Sequence, residues 1–349
     1  MSLKVLIIGG GFFGTSIAIK IKENFKNFII TLCEKKEDLL LGASGKNQFR
    51  CHLGYHYPRS DQTIQECKDS FLDFDKYYND TYLKTENYYA ISKKNSKTNF
   101  DDYLSVLDKN NLKYKISKHN LLNPKLIEGS IQVDEKIISI NLARKKVWKM
   151  LKSLNVDVRL NTEVSLNQKN LKNYDHVILC TYDKNNENLE NINSIEKNKY
   201  YYQLVEKIIV KPPKIFQNKS FVILDGPFMC IDPYEKKNYS ILGSVENSVI
   251  AKINSRIHNF DYLKNLEENL SIKKDLDVFL GIKKDFEKFF LNFEKTKYFK
   301  SFFVVRTTKK NKKDNRITEI QQNKKIITVF SGKWVNCITS ANKIIKILK

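Results

Sequence analysis

Residues able to do chemistry fall in two short stretches and one pair of arginines. Gly9-Gly-Gly11-Phe12-Phe-Gly14 is a G-x-G-x-x-G run. In such a run Gly9 permits a tight turn, Gly11 lets the backbone approach a pyrophosphate, and Gly14 lets a helix pack onto a strand. Glu34, about twenty residues beyond the last glycine, is placed to accept hydrogen bonds from ribose hydroxyls. A second stretch holds His52 and His56 together with Arg50, Tyr57 and Arg59. An imidazole titrates near neutral pH, so either histidine is a candidate to remove a substrate proton. Arg306 and Arg316 offer planar forks suited to a carboxylate or phosphate.

The first stretch needs elements around it, and the sequence supplies them in order. Lys4-Val-Leu-Ile-Ile8 is a continuous apolar run of the kind a buried parallel strand presents. A helix is predicted over Thr15 to Glu23, with Ile17, Ala18 and Ile21 on one face, and a second strand over Phe28 to Cys33. Strand, glycine turn, helix, strand and terminal acid make a dinucleotide-binding unit, with phosphates at the helix N-terminus. The motif serves NAD and FAD alike, so the choice between them rests on residues further along the chain.

At 349 residues, with 41% hydrophobic, the chain can bury a large core and suits two domains or one domain with an insertion. No run of about 18 apolar residues occurs, which excludes an integral membrane helix. Lys and Arg total 61 against 39 Asp and Glu, a formal charge of +22. Only seven of the 61 are Arg, and Asn, Ile, Tyr and Phe are abundant. That is the bias of an AT-rich coding sequence. It argues against nucleic acid as a partner, because such a surface uses Arg forks as well as Lys. The six cysteines are scattered without a C-x-x-C pair, so neither a metal site nor a disulfide framework is expected. Lys4 and the apolar stretch to Ile19 look superficially like a signal peptide, but the glycines interrupt it, and a cytoplasmic location is expected.

Gly42-Ala-Ser44-Gly-Lys-Asn47-Gln-Phe-Arg50-Cys-His52-Leu-Gly-Tyr-His56-Tyr57-Pro-Arg59-Ser60 resembles the signature of the D-amino-acid-oxidase-like FAD-dependent oxidoreductases. The arrangement is most similar to the L-2-hydroxyglutarate dehydrogenase branch, which has one more residue before its proline. Ser331-Gly332-Lys333-Trp334-Val335 is similar to the Gly-Gly-Lys-Trp-Thr-Thr element of glycerol-3-phosphate dehydrogenases. The resemblance implies FAD as cofactor. It implies Ser44 and Asn47 at the cofactor, His52 and His56 near the flavin, and Gly332, Lys333 and Trp334 at the flavin pyrimidine edge. Residues 155–164 resemble the family strand whose last valine, Val164, holds the adenine. Residues 174–181 resemble the strand that usually ends in Ala-Thr-Gly, which places Thr181 at the cofactor. This chain reads Cys180-Thr181-Tyr182 there.

The expected fold is α/β. A Rossmann-type FAD domain is assembled from 1–85, 137–200 and 301–349, and a β-rich substrate domain, an antiparallel sheet with helices, from 86–136 and 201–300. Strands are expected at Glu86–Ser92 and across 201–246, and helices at Asn99–Asp108 and Ile138–Leu154. Leu and Phe at helical spacing between Asp261 and Phe299 predict a packing helix, while 183–200 and Lys309–Lys313 read as solvated loops. Phe228 and Tyr234 are candidate pocket residues. By resemblance the reaction is oxidation of a C–OH or C–NH carbon of a small anionic metabolite, by hydride transfer to flavin N5. Arg306 is the main anion ligand, with Arg50, Tyr57, Arg59 and Arg316 on the substrate side, and oxygen or a quinone as electron acceptor. The alternatives are an amine or amino-acid oxidase and a tRNA-acting flavoprotein of the same superfamily.

Overall fold

The computed structural model describes residues 2–349 except 167–170, 191, 193, 194, 196, 227, 236, 237, 246, 259, 261–271 and 310–315. Lys4–Ile8 is the expected strand, with Val5 to Ile8 buried. It runs parallel to Ile29–Cys33 on one side and His176–Leu179 on the other, in a sheet of six strands. Asp157–Arg159 and Ile326–Phe330 extend the sheet in parallel, and Glu319–Asn323 closes one edge antiparallel. The strand order reverses beside Lys4–Ile8, and a reversal of this kind opens a crevice at the carboxyl ends of the strands.

The first helix, Phe12–Asn24, starts directly after Gly11, three residues before the predicted Thr15. It packs against the last helix, Cys337–Leu348, which buries Ile338, Ala341, Ile344, Ile345 and Leu348. Helix Ile140–Ser153 joins the same core through Ala143, Val147 and Leu151. Its N-terminus is capped by Ser139, whose hydroxyl accepts the Leu142 N–H at 3.1 Å.

The β-rich part is one large sheet. Val249–Ser255, Tyr200–Lys211, Ser240–Ser244, Met229–Pro233, Lys219–Leu224, Glu86–Ser92, Ile127–Val133 and Lys115–Ile116 succeed one another across it. The pairing is antiparallel except between Lys219–Leu224 and Glu86–Ser92. Lys297–Thr308 pairs with the free side of the second strand from Tyr201 to Lys211. The expected boundary at 301 therefore cuts a continuous strand, and this sheet reaches Thr308. A small third sheet joins Arg50–Cys51, Lys136–Ile138 and Tyr82–Leu83.

One loop expectation and one strand expectation need correction. The Asn-rich stretch after Tyr182 begins with a helical turn, Asn185–Asn188, in which Asn185 and Asn186 are buried. Asn185 donates to Val329 O at 2.8 Å, so its amide serves as a structural clamp. Of residues 155–164 only Asp157–Arg159 is strand. Helix Ile272–Phe289 carries Phe286 into the core beside Phe290, as a packing helix should, while 261–271 and 310–313 lie outside the described residues. All six cysteines are free.

Candidate active site

A cavity of about 1010 Å³ lies between the carboxyl ends of the parallel strands and one face of the large sheet. Gly11, Phe12 and Ser44 line it at the entrance to the first helix. Gly9 has φ +107°, and a Cβ there would stand 2.6 Å from Cys180 O; one on Gly14 would stand 1.9 Å from Gly9 O. Both positions thus need glycine, one for the turn and one for close helix–strand contact. The Phe12 N–H donates to Ser44 Oγ at 3.0 Å. Glu34 ends the second strand, as read, and accepts the Gly10 N–H at 2.6 Å and the Lys36 N–H at 3.0 Å. Each carboxylate oxygen has a second lone pair, so both keep capacity for a ribose hydroxyl.

His52, His56 and Tyr57 meet on one side of the cavity, with ring centroids 5.1 to 5.4 Å apart. Burial holds both imidazoles well below their ordinary pKa, and the Lys333 charge pushes the same way. Both histidines are therefore neutral at pH 7. Their Nδ1 atoms and the Tyr57 hydroxyl are buried without a hydrogen-bond partner. The Lys333 ammonium sits 4.6 Å from the Tyr57 ring centroid. Burial, then Arg316 and Arg306, push that amine down to about 7. Arg306 Nε donates to Gln203 Oε1 at 2.8 Å across the strand pair. Burial and the neighbouring Arg316 bring its pKa to about 10. Among the described residues, none of Lys207, Arg306, Arg316 and Lys333 has a carboxylate within ion-pair distance.

Of the other predicted site residues, several are hydrogen-bonded to the protein itself and several line the cavity. Arg50 is buried, donating to Glu135 Oε2 at 3.0 Å and also to Asp232 and Ser220. Arg50 also lines the cavity, but its guanidinium is held by these protein partners. Arg59 lines the cavity but grips Asp225 through Nε at 2.9 Å and Nη2 at 3.3 Å. Asn47 donates to Ala43 O and Ser44 O and accepts the Phe49 N–H, so it orders its own loop. Thr181 donates both its N–H and its hydroxyl to Asn185 Oδ1. Val164 is half-buried against the core around Leu166. Phe228 lines the cavity, whereas Tyr234 packs near Phe49. Gly332, Lys333 and Trp334 line it too, one turn before the last helix begins. A Cβ on Gly332 would stand 1.7 Å from Arg316 O.

Sequence reasoning missed a row across the large sheet. Cys230 lies opposite Gly243 and Val222, and continuing the register puts Lys207 on the other side of Gly243. All four line the cavity. Gln48 fills the space that Gly243 leaves, donating to Cys230 Sγ at 3.0 Å and Asp232 Oδ2 at 3.2 Å. Its Oε1 is buried and unpartnered. The signal was present as a period of two: Tyr201, Gln203, Val205 and Lys207 all face the cavity from one strand.

The model of the family described as DAO: FAD dependent oxidoreductase matches residues 4–246. The chain belongs to that family. This DAO-family enzyme is 30% identical to the FAD-dependent monooxygenase FPY4 of Fusarium mangiferae over 139 residues, 40% of this chain and 37% of that one. It is 31% identical to the L-2-hydroxyglutarate dehydrogenase of Indibacter alkaliphilus over 71 residues, 20% of this chain and 18% of that one. The match thus spans little more than a third of the first relative's length. Among solved structures, FAD-bound L-alpha-glycerophosphate oxidase from Mycoplasma pneumoniae superposes with a TM-score of 0.73 at 13% identity, covering 100% of this chain and 95% of that one. Glycine oxidase from Geobacillus kaustophilus does so at 0.70 and 10% identity, covering 99% and 94%.

The DAO-family cofactor is FAD, and the residues present fit it. The glycine turn is closed to any Cβ at Gly9 and Gly14, a helix N-terminus faces the cavity, and Lys333 supplies a buried amine that titrates near 7. The unpartnered Gln48 Oε1, Tyr57 hydroxyl and imidazole nitrogens leave polar atoms free to meet a bound group. No helix of the described residues is long and apolar enough to cross a membrane.

Proposed function

We propose that the enzyme oxidises a carbon bearing a hydroxyl group in a small anionic metabolite, such as a hydroxy acid or polyol phosphate. The observation that carries this reading is the cavity's group of basic side chains without carboxylate partners, Lys207, Arg306 and Arg316 with Lys333 titrating near 7, beside two neutral histidines. Cations without carboxylates in a low-dielectric site are costly, and an anion that fills the site offsets that cost. FAD, when bound, would supply the two-electron acceptance that such an oxidation needs.

Gly9, Gly11, Phe12, Gly14 and Ser44 hold the pyrophosphate end, Glu34 the ribose, and Gly332, Lys333 and Trp334 the pyrimidine edge. Arg306, fixed in direction by Gln203, grips the anionic group with Arg316, and Tyr57 with Phe228 walls the reacting carbon. His52 or His56, neutral at pH 7, accepts the hydroxyl proton. In this reading 86–136 and 201–308 form the substrate side and the remainder the cofactor side.

The test is anaerobic bleaching of the flavin absorbance. Small 2-hydroxy acids and polyol phosphates should bleach it, while their methyl esters and uncharged polyols should not. Bleaching by amino acids alone would replace the hydroxyl with an amine, and bleaching by uncharged substrates alone would remove the anion requirement.

A further inference from the structure

Glu135 lies behind the histidine pair and has no part in the proton transfer proposed for His52 or His56. It is 1% exposed and is held by several donors. Oε2 accepts from Arg50 Nη1 at 3.0 Å and from the Tyr89 hydroxyl at 2.5 Å, and Oε1 accepts the Leu53 N–H at 2.8 Å. Leu53 directly follows His52, so the carboxylate grips the backbone that carries the imidazole. The same Oε1 is 3.9 Å from His52 Nδ1. That nitrogen is buried and has no hydrogen-bond partner. Arg50 divides its guanidinium between Glu135 and Asp232, so neither carboxylate has it alone.

A lone pair directed at a buried carboxylate is repelled, whereas an N–H directed at it is attracted, and low polarisability around the pair enlarges the difference. The partner on one ring nitrogen thereby decides the state of the other. We infer that Glu135 is a positioning residue for His52, holding the proton on Nδ1 and leaving Nε2 as the proton acceptor. The inference rests on the proposed function only in giving that acceptor a substrate hydroxyl to serve.

The groups facing His52 divide by sign. Lys333, His56 and Arg50 each disfavour an imidazolium there, and Tyr57 is neutral. Glu135 is the one carboxylate within ion-pair distance of the ring among the described residues. When Nε2 takes a proton, the Nδ1 side of the ring already stands 3.9 Å from the carboxylate oxygen whose charge favours the cation.

The test is nitrogen NMR of the FAD-loaded enzyme, labelled in its histidines and assigned with His52→Asn. There are five histidines in the chain, which keeps the spectrum readable. His52 should show a protonated Nδ1 and an unprotonated Nε2. Glu135→Gln should lower the ratio of that tautomer to the other by about tenfold or more, while the remaining four are unchanged. Glu135→Asp, which keeps the charge, should restore part of the ratio. A wild-type His52 with its proton on Nε2 overturns the inference without any variant, and so does an unchanged ratio in a folded Glu135→Gln protein. These outcomes are independent of substrate. The tautomer can be as stated while hydroxy acids fail to bleach the flavin, which would remove the proposed function and leave Glu135 its role. The reverse pair of results would do the opposite.

Discussion

The indole of Trp334 stacks on the ring of Phe12, with centroids 5.1 Å apart and planes 20° from parallel. Phe12 opens the first helix, and Trp334 stands one turn before the last, so the stack joins two helix entrances that face one cavity. Phe74 meets the indole edge-on at 5.0 Å. Trp334→Ala should cost about 3 kcal/mol, because packing and the stack are lost together. Thermal unfolding without FAD checks the cost. FAD retention on gel filtration should fall in parallel.

Gly332 and Gly42 make a matched pair for a steric test. A Cβ on Gly332 meets Arg316 O at 1.7 Å, while one on Gly42 meets nothing within 4 Å. Gly332→Ala should therefore displace the turn and weaken FAD binding by about tenfold or more, equivalent to roughly 1.4 kcal/mol. Gly42→Ala should leave binding close to wild type. Titration of the FAD-free chain with FAD, monitored by fluorescence quenching, reads both.

Lys333 links stability to pH in the FAD-free chain. Its amine titrates near 10.5 when unfolded and about 7 when folded, because burial and then Arg316 disfavour the charge. Between those values the unfolded chain binds the extra proton, so this group makes stability rise as pH climbs from about 7 towards 10.5. Below 7 its penalty is fully present. Lys333→Met should be more stable than wild type at pH 6, with the gap closing as pH approaches 10. A constant gap in melting temperature across that range would show that Lys333 is not the titrating group.

Arg306→Ala should raise KM for an anionic substrate about 10–100-fold, the worth of a charge-assisted hydrogen bond, with a smaller effect on kcat. Lys207→Met, in the row beside Gly243, should raise KM in the same direction by a smaller factor. Steady-state kinetics with any substrate that bleaches the flavin separates the two constants. An unchanged KM in Arg306→Ala would remove its anion-binding role.

The parts of the site that sequence disclosed are those whose chemistry is local. Gly9, Gly14 and Glu34 form a continuous strand–turn–helix–strand unit, so their spacing already states their geometry. Arg50 and Asn47 sit inside an equally suggestive stretch, yet their partners are remote or unremarkable in type. Arg50 meets Glu135 and Asp232 across 85 and 182 residues, and Asn47 turns inward on its own loop. A charged residue near a motif cannot reveal whether a distant carboxylate has claimed it. Lys207 was hidden for a different reason. In a chain rich in lysine one more carried no contrast, and only sheet register brings it beside Gly243 and Cys230.

Tyr182 takes φ +54°, a left-handed backbone that glycine adopts more readily, where the resembling families usually have glycine. Its hydroxyl donates to Thr307 O at 3.0 Å and accepts the Thr307 N–H at 2.9 Å. The ring is thus a strut, bolted at one end to the strand that closes on the glycine turn and at the other to the long strand carrying Arg306. A strut resists shear between the two sheets it connects. The cavity is thus walled partly by two sheets tied through one phenol and partly by pieces that this tie does not reach, Lys94, Asn95, Lys97 and the end of helix Ile272–Phe289.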